Sequence, residues 1–203
     1  VLSGSVDVAD WAPDADLEMS PQAMQLAELV MQDDPAFHAA LSEAMMLSGS
    51  EEREKGKAHV KVAEFAAQQL RGDTRVASFS INGWDTHKRQ TRSLKGALGR
   101  LSDTILTLQS ELGPDIWGKT AVVAMTEFGR TAAENGTKGT DHGTGGAMIY
   151  AGGALNGGRI LGDWPGLAEA DLYNRRDLMP TRDVRAYPAW VMHDLMGIKR
   201  RAI

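Results

Sequence analysis

Three short, largely apolar runs, VASFSI at 76–81, TAVVAMT at 120–126 and AMIYAGG at 147–153, limit what this chain can build, and TAVVAMT has no polar alternation at all. A strand facing water on one side alternates apolar and polar residues, whereas an unbroken apolar strand is covered on both faces, as in parallel sheets flanked by helices. Between the first two runs lies LKGALGRLSDTILTLQSEL, where Leu94, Leu98, Leu101, Ile105, Leu108 and Leu112 fall on one helical stripe. Strand, helix, strand with short connections is the α/β pattern, so the sequence predicts a parallel-sheet core with crossover helices.

The remainder of the chain fits around that core. Residues 1–20 are acidic and irregular; Pro21 opens a stretch with apolar residues at helical spacing, interrupted at Asp33, Asp34 and Pro35, which predicts two short helices. A further helix is expected from about Glu51 to Leu70, stopped at Gly72. Residues 1–72 therefore form a mainly helical N-terminal segment packing on an α/β portion at 73–203, and YPAWVMHDLMGI closes the chain as a last helix. Neither an internal repeat nor a low-complexity tract is present.

Composition narrows the function classes. The 203 residues are 42% hydrophobic and 24% charged, enough for one sizeable core. A net charge of −5 with scattered basic residues argues against a nucleic-acid surface, which needs a concentrated basic face. The cluster Lys199, Arg200, Arg201 reads as a solvated helix end. No apolar run approaches the roughly 20 residues that span a bilayer, and nothing resembles a signal peptide. The absence of cysteine removes disulfides and thiolate metal sites and fits either the cytosol or an exported protein. A start at Val1, in VLSGSVDVADWAPDADLE, is expected of a processed or trimmed piece of a longer protein.

The chemistry-bearing residues lie where such a fold would use them, at strand ends. The first run leads into NGWDTHKRQ, where Asp85 and His87, two apart in extended backbone, point to the same side. The second leads into TEFGR, with Glu127 at the strand end and Arg130 close behind; a glycine loop then delivers Asp141 and His142 before the third. Singly, each has a plainer explanation: a capping Asp beside an exposed His, a helix-cap Glu paired with Arg130, an Asp-His-Gly turn. Their coincidence at three strand ends is what points to a metal site, and mixed carboxylate and imidazole ligands suit zinc, manganese or iron better than calcium or magnesium. His38, His59 and His193 sit within helical patterns and read as structural. No G-x-S-x-G elbow or G-x-x-x-x-G-K-[ST] loop is present, AGGALNGG lacks the strand-turn-helix context of a dinucleotide site, and the ten Met fill core gaps.

Taken in order, GWDTHKRQ, TEFGRT, ENGTKGTDHGTGGAMIYAGGALNGGRILGDWPGL and RRDLMPTRDVRAY resemble the C-terminal half of the bacterial domain-of-unknown-function family numbered 1501, from about residue 76 to the end. That family is sulfatase-like, is placed in the alkaline phosphatase superfamily, and typically carries twin-arginine export signals. The resemblance implies an alkaline phosphatase-like core, here its incomplete C-terminal portion, with a two-metal site. By position, Asp85 and His87 look like the first metal-binding pair, Glu127 stands where the superfamily commonly has an Asp followed by His, and His142 resembles a later single histidine with Asp141 as neighbour or ligand. A competing alignment matches TDHG itself to the Asp-His-Gly pair. Arg130 is expected to neutralise a bound oxyanion, since its planar fork suits phosphate or sulfate. The superfamily's nucleophile and a further metal-binding Asp come from an N-terminal segment that has no match here, so the 203 residues are expected to hold part of a site.

The implied function is a metal-dependent hydrolase of small or polymeric phosphate or sulfate esters, using divalent ions such as zinc or manganese, in the periplasm or exported. The alternative is a non-catalytic, envelope-associated binding or assembly protein that keeps the fold, motivated by Glu127-Phe128 in place of an Asp-His pair; a cytoplasmic location is the other possibility for the chain as it stands.

Overall fold

The computed structural model describes residues 57–199. Contacts divide the chain into two units, Val1–Val62 and Ala63–Ile203. The two helices predicted before residue 50, with His38, lie outside the described residues, as does most of the 51–57 start of the third.

Helix α1 (Ala58–Arg71) presents Ala63, Ala66 and Ala67 as its buried face. Spacings of three and four place these on one side of the helix, and their short side chains allow close approach. Against them pack Leu108 and Leu112 of helix α2 (Gln90–Trp117), with Leu70, Ile116, Trp117 and Val122 closing the cluster. Arg71 ties the end of α1 to α2 by donating to the Glu111 carbonyl at 2.7 Å and to its carboxylate at 3.2 Å. The predicted stripe on α2 is rotated slightly. Ala97, Leu101, Thr104, Leu108 and Leu112 are buried, while Leu98 is exposed. Gly113, at φ 66°, interrupts the helix where the sequence stripe ends, and Pro114 starts one more turn, as its fixed φ permits in a first helical turn.

The strands are short. β1 (Val122–Ala124) pairs antiparallel with β4 (Ile149–Ala151), Val123 opposite Tyr150, and β2 (Gly129–Arg130) pairs antiparallel with β3 (His142–Gly143), Arg130 opposite His142. The second and third apolar runs thus form strands at the expected places but in opposite directions. A parallel pair needs a crossover, usually helical; here the chain between β1 and β4 folds into the β2–β3 ribbon and returns alongside β1. Residues 76–81 form no ladder, and Val76 and Phe79 are exposed. Among the described residues the architecture is therefore helices combined with two small antiparallel sheets, α/β only in the general sense. No helix among them is long and apolar enough to cross a membrane. A 3-10 turn at Glu169–Asp171 and helix α3 (Ala186–Met196) complete the chain, α3 ending at Gly197 in the left-handed conformation.

Candidate metal centre

The centre is assembled from two segments brought together at the start of α2. Residues 85–90 approach α2, and the loop between β2 and β3 folds over them. Arg89 and Gln90 donate their backbone N–H groups to the carbonyls of Thr137 and Lys138 at 3.1 and 2.8 Å, so the loop satisfies donors that a helix start leaves open. Gly139 is required at this junction. A Cβ there would lie 2.2 Å from the His87 backbone, closer than any side chain can come.

Asn135 is the hub of the loop. Its side-chain oxygen accepts from the Thr137 N–H and from the Gly139 N–H, both at 3.0 Å. Its amide donates to the His87 carbonyl and to Asp141 Oδ1, both at 3.0 Å. The Thr137 hydroxyl donates to the same His87 carbonyl.

On this frame Asp85, His87 and His142 converge, each offering one ligand atom within 4.8 Å of the others. His87 Nε2 lies 2.9 Å and His142 Nε2 3.1 Å from Asp85 Oδ1, and the two imidazole nitrogens are 3.1 Å apart. On the far side of its ring, His87 Nδ1 is 3.0 Å from Asp141 Oδ1. With Nδ1–H donated to Asp141, His87 Nε2 carries a lone pair that faces a carboxylate oxygen. Two acceptors at that distance require a cation between them, a proton or a metal. Ligands on a single tetrahedral zinc are about 3.3 Å apart, given bonds of about 2.0–2.1 Å, so the triad is close to the spacing of a shared ion. A carboxylate that orients a ligating histidine through its other nitrogen is the usual support of such sites. The donor set of two imidazoles and a carboxylate fits zinc, manganese or iron.

Electrostatics agree with a centre that keeps its carboxylates ionised. The hydrogen bond from His142, and then that from Arg130, hold the Asp85 carboxyl below its ordinary range. The Asn135 amide, and then His87, do the same for Asp141. The ligands remain open to solvent, with Asp85 69% and His142 52% exposed in their side chains.

The six residues expected at the site divide as follows. Asp85, His87 and His142 meet. Asp141 stands behind His87. Arg130 brackets the centre, donating to Asp85 Oδ1 at 3.0 Å and, from its other nitrogens, to the Thr140 hydroxyl and carbonyl. Glu127 is exposed beyond β1 and outside the triad. From TEFGR it is instead the next residue, Phe128, that reaches the centre, its ring centroid 4.2 Å from that of His142. Phe128, Asn135, Thr86, Thr140 and Gln90 all carry the geometry without standing out in sequence. The one signal for the threonines is that each ligand segment has one inside or beside it, in WDTH and GTDH.

The chain matches, over residues 9–187, the model of a family described as "Protein of unknown function (DUF1501)". No curated protein and no solved structure matches it. With that match running through most of its length and through every residue of the centre, the chain belongs to the DUF1501 family.

Proposed function

We propose that the protein is a metal-dependent hydrolase of phosphate or sulfate esters, exported from the cytoplasm and related to the alkaline phosphatase superfamily. The carrying observation is the convergence of Asp85, His87 and His142, residues up to 57 positions apart, on one point with Asp141 behind His87. The superfamily relationship and the export rest on the motif resemblance.

In this reading Asp85 Oδ1, His87 Nε2 and His142 Nε2 hold a divalent ion, which when bound supplies Lewis-acid polarisation of an ester oxygen. Asp141 fixes the tautomer of His87 and keeps Nε2 available. Phe128 limits rotation of the His142 ring. Arg130 places positive charge beside Asp85, and the two of its five N–H groups not used by Thr140 and Asp85 face the role of binding a substrate oxyanion.

Metal content of the longest natural form of the protein, measured after incubation with zinc or manganese and gel filtration, tests this first. Bound metal in near-stoichiometric amount that is lost in His87→Ala is expected; a chain that retains none overturns the reading. Hydrolysis of aryl phosphates and aryl sulfates by the longest natural form of the protein then tests the chemistry.

The position of Glu127 favours a second reading. Because it stands outside the triad, the described residues bring together fewer ligands than a two-metal site needs, as in a binding protein that keeps the fold without turnover. Metal binding without hydrolysis of either ester class selects this second reading.

A further inference from the structure

Gln90 is the first residue of α2, and its side-chain oxygen accepts two hydrogen bonds, from the Thr86 hydroxyl at 2.8 Å and from the Thr140 hydroxyl at 2.6 Å. Both threonines are buried, 3% and 8% exposed. Thr86 sits between Asp85 and His87, and Thr140 immediately precedes Asp141 and His142. The Thr140 N–H also donates to the Thr86 carbonyl at 3.2 Å. The two ligand-bearing segments are thus joined backbone to backbone and, through one oxygen, side chain to side chain.

The directions of these bonds leave little freedom. Each threonine has a single hydroxyl proton, and both protons go to Gln90. The lone pairs of Thr140 Oγ1 are then free to accept from Arg130 Nε at 3.0 Å, while Arg130 Nη1 reaches Asp85 Oδ1 at 3.0 Å. A continuous path runs from Gln90 through Thr140 and Arg130 to Asp85 Oδ1, and a second runs from Gln90 to Thr86, which lies between Asp85 and His87. None of the three polar residues belongs to the apolar cluster of α1 and α2.

We propose that Gln90 is a positioning residue for the metal centre: its side-chain oxygen sets the separation of the 85–87 and 140–142 segments and thereby the spacing of Asp85, His87 and His142. The inference rests on the metal-centre reading given above. With an apolar side chain at 90, two buried hydroxyls lose their acceptor. They turn elsewhere, and the ligand segments separate.

Cobalt alone, titrated into the full chain and followed by its visible absorption, reports both affinity and coordination geometry. Gln90→Leu is expected to weaken cobalt binding about 10–100-fold, the range for loss of an outer partner of a metal ligand, and to alter the band shape. Gln90→Glu, which keeps an acceptor oxygen in place, is expected to bind within about threefold of the parent with the parent's spectrum. Leu108→Ala, which loosens the apolar cluster, serves as the control for general destabilisation and is expected to leave the spectrum unchanged. A parent protein with no cobalt spectrum removes the metal-centre reading and this inference with it. A parent that binds cobalt while Gln90→Leu matches it in affinity and spectrum overturns the role of Gln90 alone. If circular dichroism shows Gln90→Leu unfolded, Thr86→Val decides: a loss of about tenfold or more in cobalt affinity supports the clamp, and parent-like binding overturns it.

Discussion

The α1–α2 cluster and the metal centre are built on opposite principles. The cluster is apolar: three alanines of α1 against Leu108 and Leu112 of α2, with contacts that depend on volume and spacing. The centre is polar and largely open to water. Its shape comes from directed bonds between residues far apart in sequence, such as Asn135 to the His87 carbonyl and Thr140 to Gln90. Apolar contacts are undirected, so the cluster supplies stability without specifying side-chain positions to a fraction of an ångström. Directed bonds can do so, and a metal centre needs that. Stability and site geometry should therefore respond separately to substitution.

The largest stability change should come from the cluster. Leu108 is 5% exposed and touches the alanine face of α1. Leu108→Ala is expected to lower unfolding free energy by about 2–3 kcal/mol, near the low end for buried leucines because small neighbours can close on the space. Denaturant unfolding measures this, while cobalt affinity of the folded variant should stay within about twofold of the parent, well under the tenfold that 1.4 kcal/mol represents. If affinity instead falls in step with stability, the two regions are not separable.

Asn135→Ala should reverse that pattern. It removes the amide that donates to the His87 carbonyl and to Asp141, and the oxygen that accepts from Thr137 and Gly139. The expected loss of stability is about 1–2 kcal/mol, since the freed groups are partly open to water. Cobalt affinity should fall by about tenfold, because Asp141 loses the partner that aims it at His87. Unchanged affinity with lowered stability would show that the loop needs Asn135 only to fold.

The same contrast explains what the amino-acid sequence discloses. The helix at 90–117 is legible because the leucine stripe records burial along one face, and the apolar runs at 120–126 and 147–153 mark strands at 122–124 and 149–151. Their direction is not legible. An apolar run says that a strand is covered, not which neighbour covers it, and the β2–β3 ribbon that turns the chain back has two residues per strand and no hydrophobic signature. VASFSI has strand composition but pairs with no strand among the described residues. At the centre, the spacing of two places Asp85 and His87 on one side in extended backbone, and their ligand atoms lie 2.9 Å apart. Gln90, Thr86, Thr140 and Asn135 do not stand out in the sequence, because these ordinary polar residues acquire their role through bonds that include partners about 50 positions away, as with Thr140 on Gln90 and Asn135 on His87.

A polar contact closed within its own segment should have almost none of this influence, and Asp183 provides the test. Its carboxylate accepts from the Arg185 guanidinium, and from the Arg185 backbone N–H at 2.9 Å, two residues along the chain. These bonds, the guanidinium first and the backbone second, hold the Asp183 carboxyl far below the usual carboxylate range. A carboxyl depressed in the folded state contributes stability above its unfolded value of about 3.9, and that contribution is lost as pH falls through the folded value. Both partners are exposed at the surface, so water screens the pair. The carbon resonance of the Asp183 carboxyl should therefore titrate well below an ordinary aspartate and return to the ordinary range in Arg185→Gln. Unfolding curves of the parent and Asp183→Asn should nearly coincide at neutral pH and converge further below pH of about 3.9. A large stability difference at neutral pH would mean that a bond spanning two residues does as much for the fold as one spanning fifty, and the distinction between local and long-range polar contacts in this protein would fail.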